Sequence, residues 1–325
     1  MNPPGPPQPG KTSTKKKKGE TVQLLEYGAV YALFFLARHN PLVLLRGISI
    51  FLGNCVYYFM KKRRHIALEN LQGALGREKT EQEIRAIARR SCASSFLTFL
   101  EIAKFQKMFR TPEALDKERR SSAELDELLN KAKKAHDESR GCIFVTPHIG
   151  NWEFLPHVSS LAGIPLAVVV RPLDNVHLER LFFRDRSLSG QVIIPKRNAL
   201  FVLQKTLQQG KSIGLLPDQS TMRGILVDFF NRKATTTPIP ALLAVMYRKP
   251  IVVVACCRKA GGYGFEGMVS DPIWPSEYQR EKEEVKRLTQ AMNTEMEKVI
   301  RRYPDQYLWL HNRWKTYKGK RELLT

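Results

Sequence analysis

A histidine that ends an apolar run and opens a glycine turn is placed to move a proton, and His148 is such a residue. Before it lies Cys142-Ile143-Phe144-Val145, apolar and partly β-branched like a strand; after it, Gly150-Asn151 suits a tight turn. Asn151 is a capping type, so a helix is expected to begin near Trp152. Glu153 then falls in the first helical turn. Its separation from His148 is poor for facing along one helix, but an imidazole in the turn and a carboxylate in the helix can meet. A carboxylate on one ring nitrogen fixes the tautomer and raises basicity, leaving the other nitrogen to take a proton from an attacking hydroxyl. His148 and Glu153 are therefore the candidate base and its support, a pair without a nucleophile.

Two more charges sit where strands should end. Arg171 directly follows the run 166–170, and Asp218 follows Leu215-Leu216-Pro217. Arg171 can hold a phosphate or carboxylate through its planar fork, and Asp218 can bind a hydroxyl or order the arginine; a plain ion pair at the sheet rim fits them equally well. Two other patterns fail on context. Gly210-Lys211-Ser212-Ile213-Gly214 has the spacing of a hydrolase serine elbow, but here the serine opens a strand instead of standing between strand and helix. Gly5-Pro6-Pro7-Gln8-Pro9-Gly10-Lys11-Thr12 has the spacing of a phosphate loop, yet no strand precedes it and its prolines lack the N–H donors such a loop uses.

The elements that must position these residues follow from periodicity. Between residues 77 and 134 apolar residues recur at helical spacing among many charges, as at Ile84, Ile87 and Ala88 and again at Phe96, Phe99 and Leu100. Short apolar runs then appear at 142–145, 166–170, 192–194, 213–216 and 251–257, separated by helical stretches such as 176–187 and 200–209. Strands alternating with helices predict an α/β fold, a mainly parallel mixed sheet flanked by helices, with its site at the carboxyl ends of the strands. A charged helix over 276–302 and a polar segment around 309–315 close the pattern.

The chain of 325 residues carries 53 Lys and Arg against 31 Asp and Glu, a net charge of +22, which implies an anionic partner. No zinc pattern, RNA-binding aromatic motif or helix-turn-helix accompanies that charge, so nucleic acid is not expected. The five cysteines form no C-x-x-C pair and read as reduced thiols rather than metal ligands. Residues 1–19 form a basic, Pro-rich tail expected to be disordered. Two apolar stretches follow, at 27–37 and 41–60, the second charged only at Arg46; basic clusters at 15–18 and 61–64 flank the pair. We read 20–64 as an N-terminal membrane-associating helical segment, a shallow hairpin or interfacial helices, with two amphipathic core helices as the alternative. That leaves 65–325 as the catalytic domain.

Together His148 to Glu153 (His-Ile-Gly-Asn-Trp-Glu), Val170-Arg171-Pro172, Pro217-Asp218-Gln219, Asp228-Phe229-Phe230 with Thr235-Thr236-Thr237-Pro238, and Trp309 to Lys315 (Trp-Leu-His-Asn-Arg-Trp-Lys) resemble the lipid A biosynthesis acyltransferases of the lauroyl or myristoyl type, within the lysophospholipid acyltransferase superfamily. The resemblance covers about residues 20 to 317. It implies transfer of a fatty acyl chain from acyl carrier protein, or CoA, to a hydroxyl of an anionic glycolipid at the cytoplasmic face of the bacterial inner membrane, without cofactor or metal. It places the family's His-x4-acid pair on His148 and Glu153, its arginine on Arg171 and its aspartate on Asp218. Asn151 and the C-terminal His311, Arg313 and Lys315 are added as substrate-binding candidates, the last three near substrate phosphates. One departure is Asn231, where a glycine usually follows the Phe-Phe pair; Asn tolerates left-handed backbone angles better than most residues.

Overall fold

The computed structural model describes residues 19–109, 111–170, 173–181, 192–195, 199–260, 264–277 and 280–317. The tail with its phosphate-loop lookalike, and Arg171, lie outside the described residues. Six helices come first: α1 (Glu20–His39), α2 (Leu42–Phe59), α3 (Lys61–Leu75), α4 (Glu81–Met108), α5 (Pro112–Ser121) and α6 (Ala123–Ser139). The alternating part follows as β1 (Ile143–Val145), α7 (Phe154–Leu161), β2 (Leu166–Val170), β3 (Val192–Pro195), α8 (Ala199–Gln208), β4 (Ser212–Leu215), β5 (Ile225–Phe229), β6 (Arg232–Thr236), α9 (Ile239–Tyr247), β7 (Ile251–Arg258), β8 (Phe265–Val269) and α10 (Glu281–Arg302).

Six strands form one sheet in the order β3-β2-β4-β1-β7-β8, parallel except for the edge strand β8, while β5 and β6 make a separate antiparallel hairpin. All five sequence-predicted strands are present and lie in the parallel part. All eight residues of β7 are buried, as a central parallel strand requires, and they alternate between two cores. Ile251, Val253, Ala255 and Cys257 pack into the cluster that includes α9 and α10, whereas Val252, Val254 and Cys256 face the cluster of α6, α7 and Phe265. Each Val or Ile side chain so buried stabilises the fold by roughly 1.5–3 kcal/mol.

α4 is the spine between this sheet and the N-terminal helices. A capping box starts it, with the Thr80 side chain accepting from the Glu83 N–H and Glu83 reaching back to the Thr80 backbone. α1 and α2 pack on it through Phe34, Ala37, Leu45, Leu97, Leu100 and Ala103. Gly53 of α2 lets the backbones approach closely, since a Cβ there would stand 2.5 Å from the Ala93 Cα. The segment expected as a membrane hairpin is thus joined to α4 along one face. Its other face is bare: Leu25, Tyr31, Phe35, Val43, Ile50, Phe51 and Phe59 are all exposed. α2 is also long and apolar enough, in length and composition, to cross a membrane.

Candidate active site

β1 and β4 are parallel neighbours in which Val145 pairs with Leu215, and three residues beyond each partner come His148 and Asp218. The sheet therefore delivers both side chains to one place at its carboxyl edge. The Asp218 carboxylate takes two hydrogen bonds from the same residue: His148 Nδ1 at 2.6 Å to Oδ1 and the His148 backbone N–H at 2.8 Å to Oδ2. Asp218 is 2% exposed and the His148 side chain 17%, so the carboxylate is sealed beneath a ring whose other nitrogen is reachable.

Burial alone would lower the His148 pKa, but the Asp218 charge and hydrogen bond, with a further contribution from the Glu153 charge, outweigh it and raise the ring above the ordinary histidine value. Burial pushes the Asp218 carboxyl up, and its interactions with His148 more than reverse this, holding it low and ionised. With Asp218 ionised, Nδ1 carries the proton and Nε2 is the acceptor, facing the Gln219 carboxamide N–H. Trp152 packs edge-on to the imidazole at 5.3 Å, and the Gln219 carboxamide nitrogen stands 3.3 Å from Nε2.

This corrects the expected pairing. The carboxylate on the ring nitrogen is Asp218, and Glu153, the N-cap of α7, acts on the ring through its charge. Asp218 in turn has both oxygens committed to His148 and is not presented to a substrate hydroxyl.

Asn151 is likewise not at the substrate surface. It is fully buried; its side-chain oxygen accepts from the Phe154 N–H at 2.9 Å, so it holds the start of α7 from two residues ahead of the N-cap instead of capping a helix at Trp152, and its amide donates to Glu101 Oε2 at 2.8 Å. Glu101 on α4 also holds Arg258, at the end of β7, by contacts of 2.6 to 3.0 Å, and Arg258 reaches Ser94 and Thr98. Thr98 closes the network by donating to the Gly150 carbonyl at 2.7 Å. Gly150 has φ +57°, and a Cβ on it would stand 2.1 Å from the Cys256 carbonyl oxygen, so only glycine fits. The loop's N–H groups are spent inside the protein, Gly150 on the Gln306 carbonyl and Asn151 on the Cys256 carbonyl.

The C-terminal motif buckles the loops carrying His148 and Asp218 together. Leu308 N–H donates to the His148 carbonyl, Ile149 bridges Tyr307, and His311 Nε2 accepts from the Ser220 N–H at 3.2 Å. That bond requires an unprotonated Nε2, and burial lowers the His311 pKa, so this residue is a neutral clasp rather than a phosphate-binding cation. Arg313 is 1% exposed and donates to the Thr235 carbonyl and the Thr236 hydroxyl, its guanidinium lying over the Phe229 ring. It ties the C-terminal segment to the β5–β6 hairpin and is not open to a substrate. Lys315 alone of the three is exposed, beside the Tyr317 ring. The hairpin turns at Phe230 and Asn231, both left-handed with φ of 52° and 55°, and the Phe-Phe, Thr-Thr-Thr-Pro and C-terminal motifs thereby form one unit.

Ser212 lies at the opposite end of the sheet. It is fully buried, its hydroxyl shared between His136 Nδ1 and the Cys142 N–H, and it takes no part in the site.

A parallel α/β sheet seats a carboxylate-oriented histidine at its strand ends, an arrangement whose second ring nitrogen can accept a proton. The chain belongs to the bacterial lipid A biosynthesis acyltransferase family, whose sequence profile matches residues 15–316. It is 27% identical over 265 residues to the lipid A biosynthesis palmitoleoyltransferase of Escherichia coli, covering 79% of this chain and 80% of the relative. It is 25% identical over 292 residues to that organism's lipid A biosynthesis lauroyltransferase, covering 87% and 89%. The phosphatidylinositol mannoside acyltransferase of Mycolicibacterium smegmatis is 27% identical over 192 residues, covering 55% and 59%.

Proposed function

We propose that this protein transfers a fatty acyl chain from a thioester donor, acyl carrier protein or CoA, to a hydroxyl of a lipid A precursor or related glycolipid, with His148 as general base. The observation that carries this is the 2.6 Å bond from His148 Nδ1 to a buried Asp218, which leaves Nε2 as the acceptor. Nε2 removes the proton as the acceptor oxygen attacks the thioester carbonyl. Collapse of the tetrahedral intermediate breaks the C–S bond, and the departing sulfur takes the proton back from the imidazolium. Asp218 stabilises that imidazolium by contact and Glu153 by charge.

The oxyanion needs a donor, and the Gly150 and Asn151 N–H groups are already spent. Gln219, with its carboxamide 3.3 Å from Nε2, is placed for that role. Arg171 and Lys315 remain the proposed contacts to substrate anions.

The bare apolar face of α1 and α2 supports membrane association, because a soluble surface rarely carries so many large exposed apolar side chains together. We place the protein at the bacterial inner membrane with its catalytic sheet on the cytoplasmic side. The excess positive charge suits both an anionic leaflet and an acidic carrier protein.

A second reading changes only the acceptor, to a phosphatidylinositol mannoside or a lysophospholipid, and is favoured by the likeness to the mannoside acyltransferase. Mass spectrometry of membrane glycolipids with and without the protein reads the added mass and the acceptor together. One added acyl chain on a glycolipid supports the proposal. An unchanged glycolipid profile contradicts it and leaves a noncatalytic protein that binds anionic membranes.

A further inference from the structure

α2 carries one charge in its apolar run, and the proposed chemistry gives that charge no use. Arg46 does not join the bare apolar face; it lines a cavity of about 680 Å³ bounded by α2, α4, the end of β7 and the end of α10. The cavity shares Gln306 with the catalytic loop, and His148 is not among its described lining residues.

Its walls are rich in donors. Arg46, Arg90, Lys259 and Arg302 line it with Arg258 behind them, against the carboxylates Glu266 and Asp305. Arg258 is held by Glu101 and Lys259 by Glu124, but Arg90 meets Asp305 at 3.3 Å and Arg302 meets Glu266 at 3.6 Å in exposed pairs of little strength. Tyr303 also lines it; the residue is 9% exposed, and its buried hydroxyl has no hydrogen-bond partner among the described residues. Burial first, then the neighbouring Glu266 carboxylate, push this phenol up to about 12, so it stays a donor. A buried donor without a well-formed hydrogen bond costs free energy that a ligand oxygen would recover. Ile50 both lines the cavity and stands exposed on the bare face of α2, so the pocket opens towards the apolar surface.

We infer that this cavity is a second lipid site, separate from the His148 centre, which takes the phosphate headgroup of an anionic phospholipid while its chains lie along α2. The inference rests on the reading that α2 meets lipid, and its test reads binding instead of acyl transfer, so either can fail alone.

The probe is short-chain phosphatidylglycerol below its micelle concentration, titrated into the full chain, with short-chain phosphatidylcholine and inorganic phosphate as parallel arms. One equivalent of phosphatidylglycerol should bind. Arg46→Gln combined with Arg90→Gln should weaken it by about tenfold or more, as expected for lost charge-assisted contacts, and Tyr303→Phe by a smaller factor. Phe35→Ser, on the α1 part of the bare face, should leave this binding unchanged while reducing flotation with anionic vesicles. Arg302→Gln, at an exposed side chain, should also weaken binding with the melting temperature held, which separates loss of the site from unfolding. Equal binding of both lipids, full binding by the arginine variants at unchanged melting temperature, or inorganic phosphate binding as tightly as the lipid would each overturn the inference.

Discussion

Glu101 of α4 grips the Asn151 carboxamide at 2.8 Å with the same carboxylate that binds the Arg258 guanidinium at 2.6 Å, so the helix supporting α1 and α2 also fixes the loop carrying His148. Both charges are buried, and removing one leaves the other without compensation. Glu101→Ala should therefore destabilise the protein by about 3–5 kcal/mol. Chemical denaturation of the variant against the parent checks this; a loss under about 1 kcal/mol would mean the pair is not holding the loop.

The His148 pKa predicts a pH profile. In the proposed mechanism the base works when neutral, so acid switches it off, and a ring raised by Asp218 and Glu153 places the acidic limb of kcat/KM above the ordinary histidine value. Asp218→Asn removes the larger of those raising influences. The limb should move to lower pH while the plateau falls by about 10²–10⁴-fold through loss of the oriented tautomer. Glu153→Gln should shift the limb the same way by less, with a smaller loss. A limb that stays in place in Asp218→Asn would show that the pair does not set the base.

Much of this was legible beforehand. Strands 142–145, 166–170, 192–194, 213–216 and 251–257 announce themselves because buried parallel strands are continuous apolar runs, and His148 stands out by following one. What local spacing could not give was the ring's partner. Glu153 is near His148 in sequence, whereas Asp218 reaches it only because β1 and β4 are neighbours in the sheet, a fact of strand order that no single segment encodes. The same limit applies to Arg313 and His311. Their types suggest phosphate binding, and only the fold shows that one is buried on Thr235 and Thr236 and the other clasped by Ser220. Of the β5–β6 hairpin only the turn at Asn231 was legible, because Arg232-Lys233 opens β6 with two charges instead of an apolar alternation.

Gln219 tests the oxyanion assignment. Gln219→Ala should lower kcat by about 10²-fold or more with KM little changed, because the contact strengthens as charge develops on the carbonyl oxygen. Since the side chain is exposed, the melting temperature should hold. An equal kcat would return the role to an unassigned donor.

Asn231 tests the turn. Asn231→Gly should be neutral or mildly stabilising, since the residue already sits at φ 55°. Asn231→Val should cost about 1–2 kcal/mol, read as a lowered melting temperature. A Val variant as stable as the parent would contradict the left-handed turn.

The central claim is that His148 removes the proton during acyl transfer, and single-turnover transfer from an acyl thioester by purified His148→Ala measures it most directly. The account predicts a loss of about 10²–10⁴-fold or more with an unchanged circular dichroism spectrum. Transfer within about tenfold of the parent would contradict it.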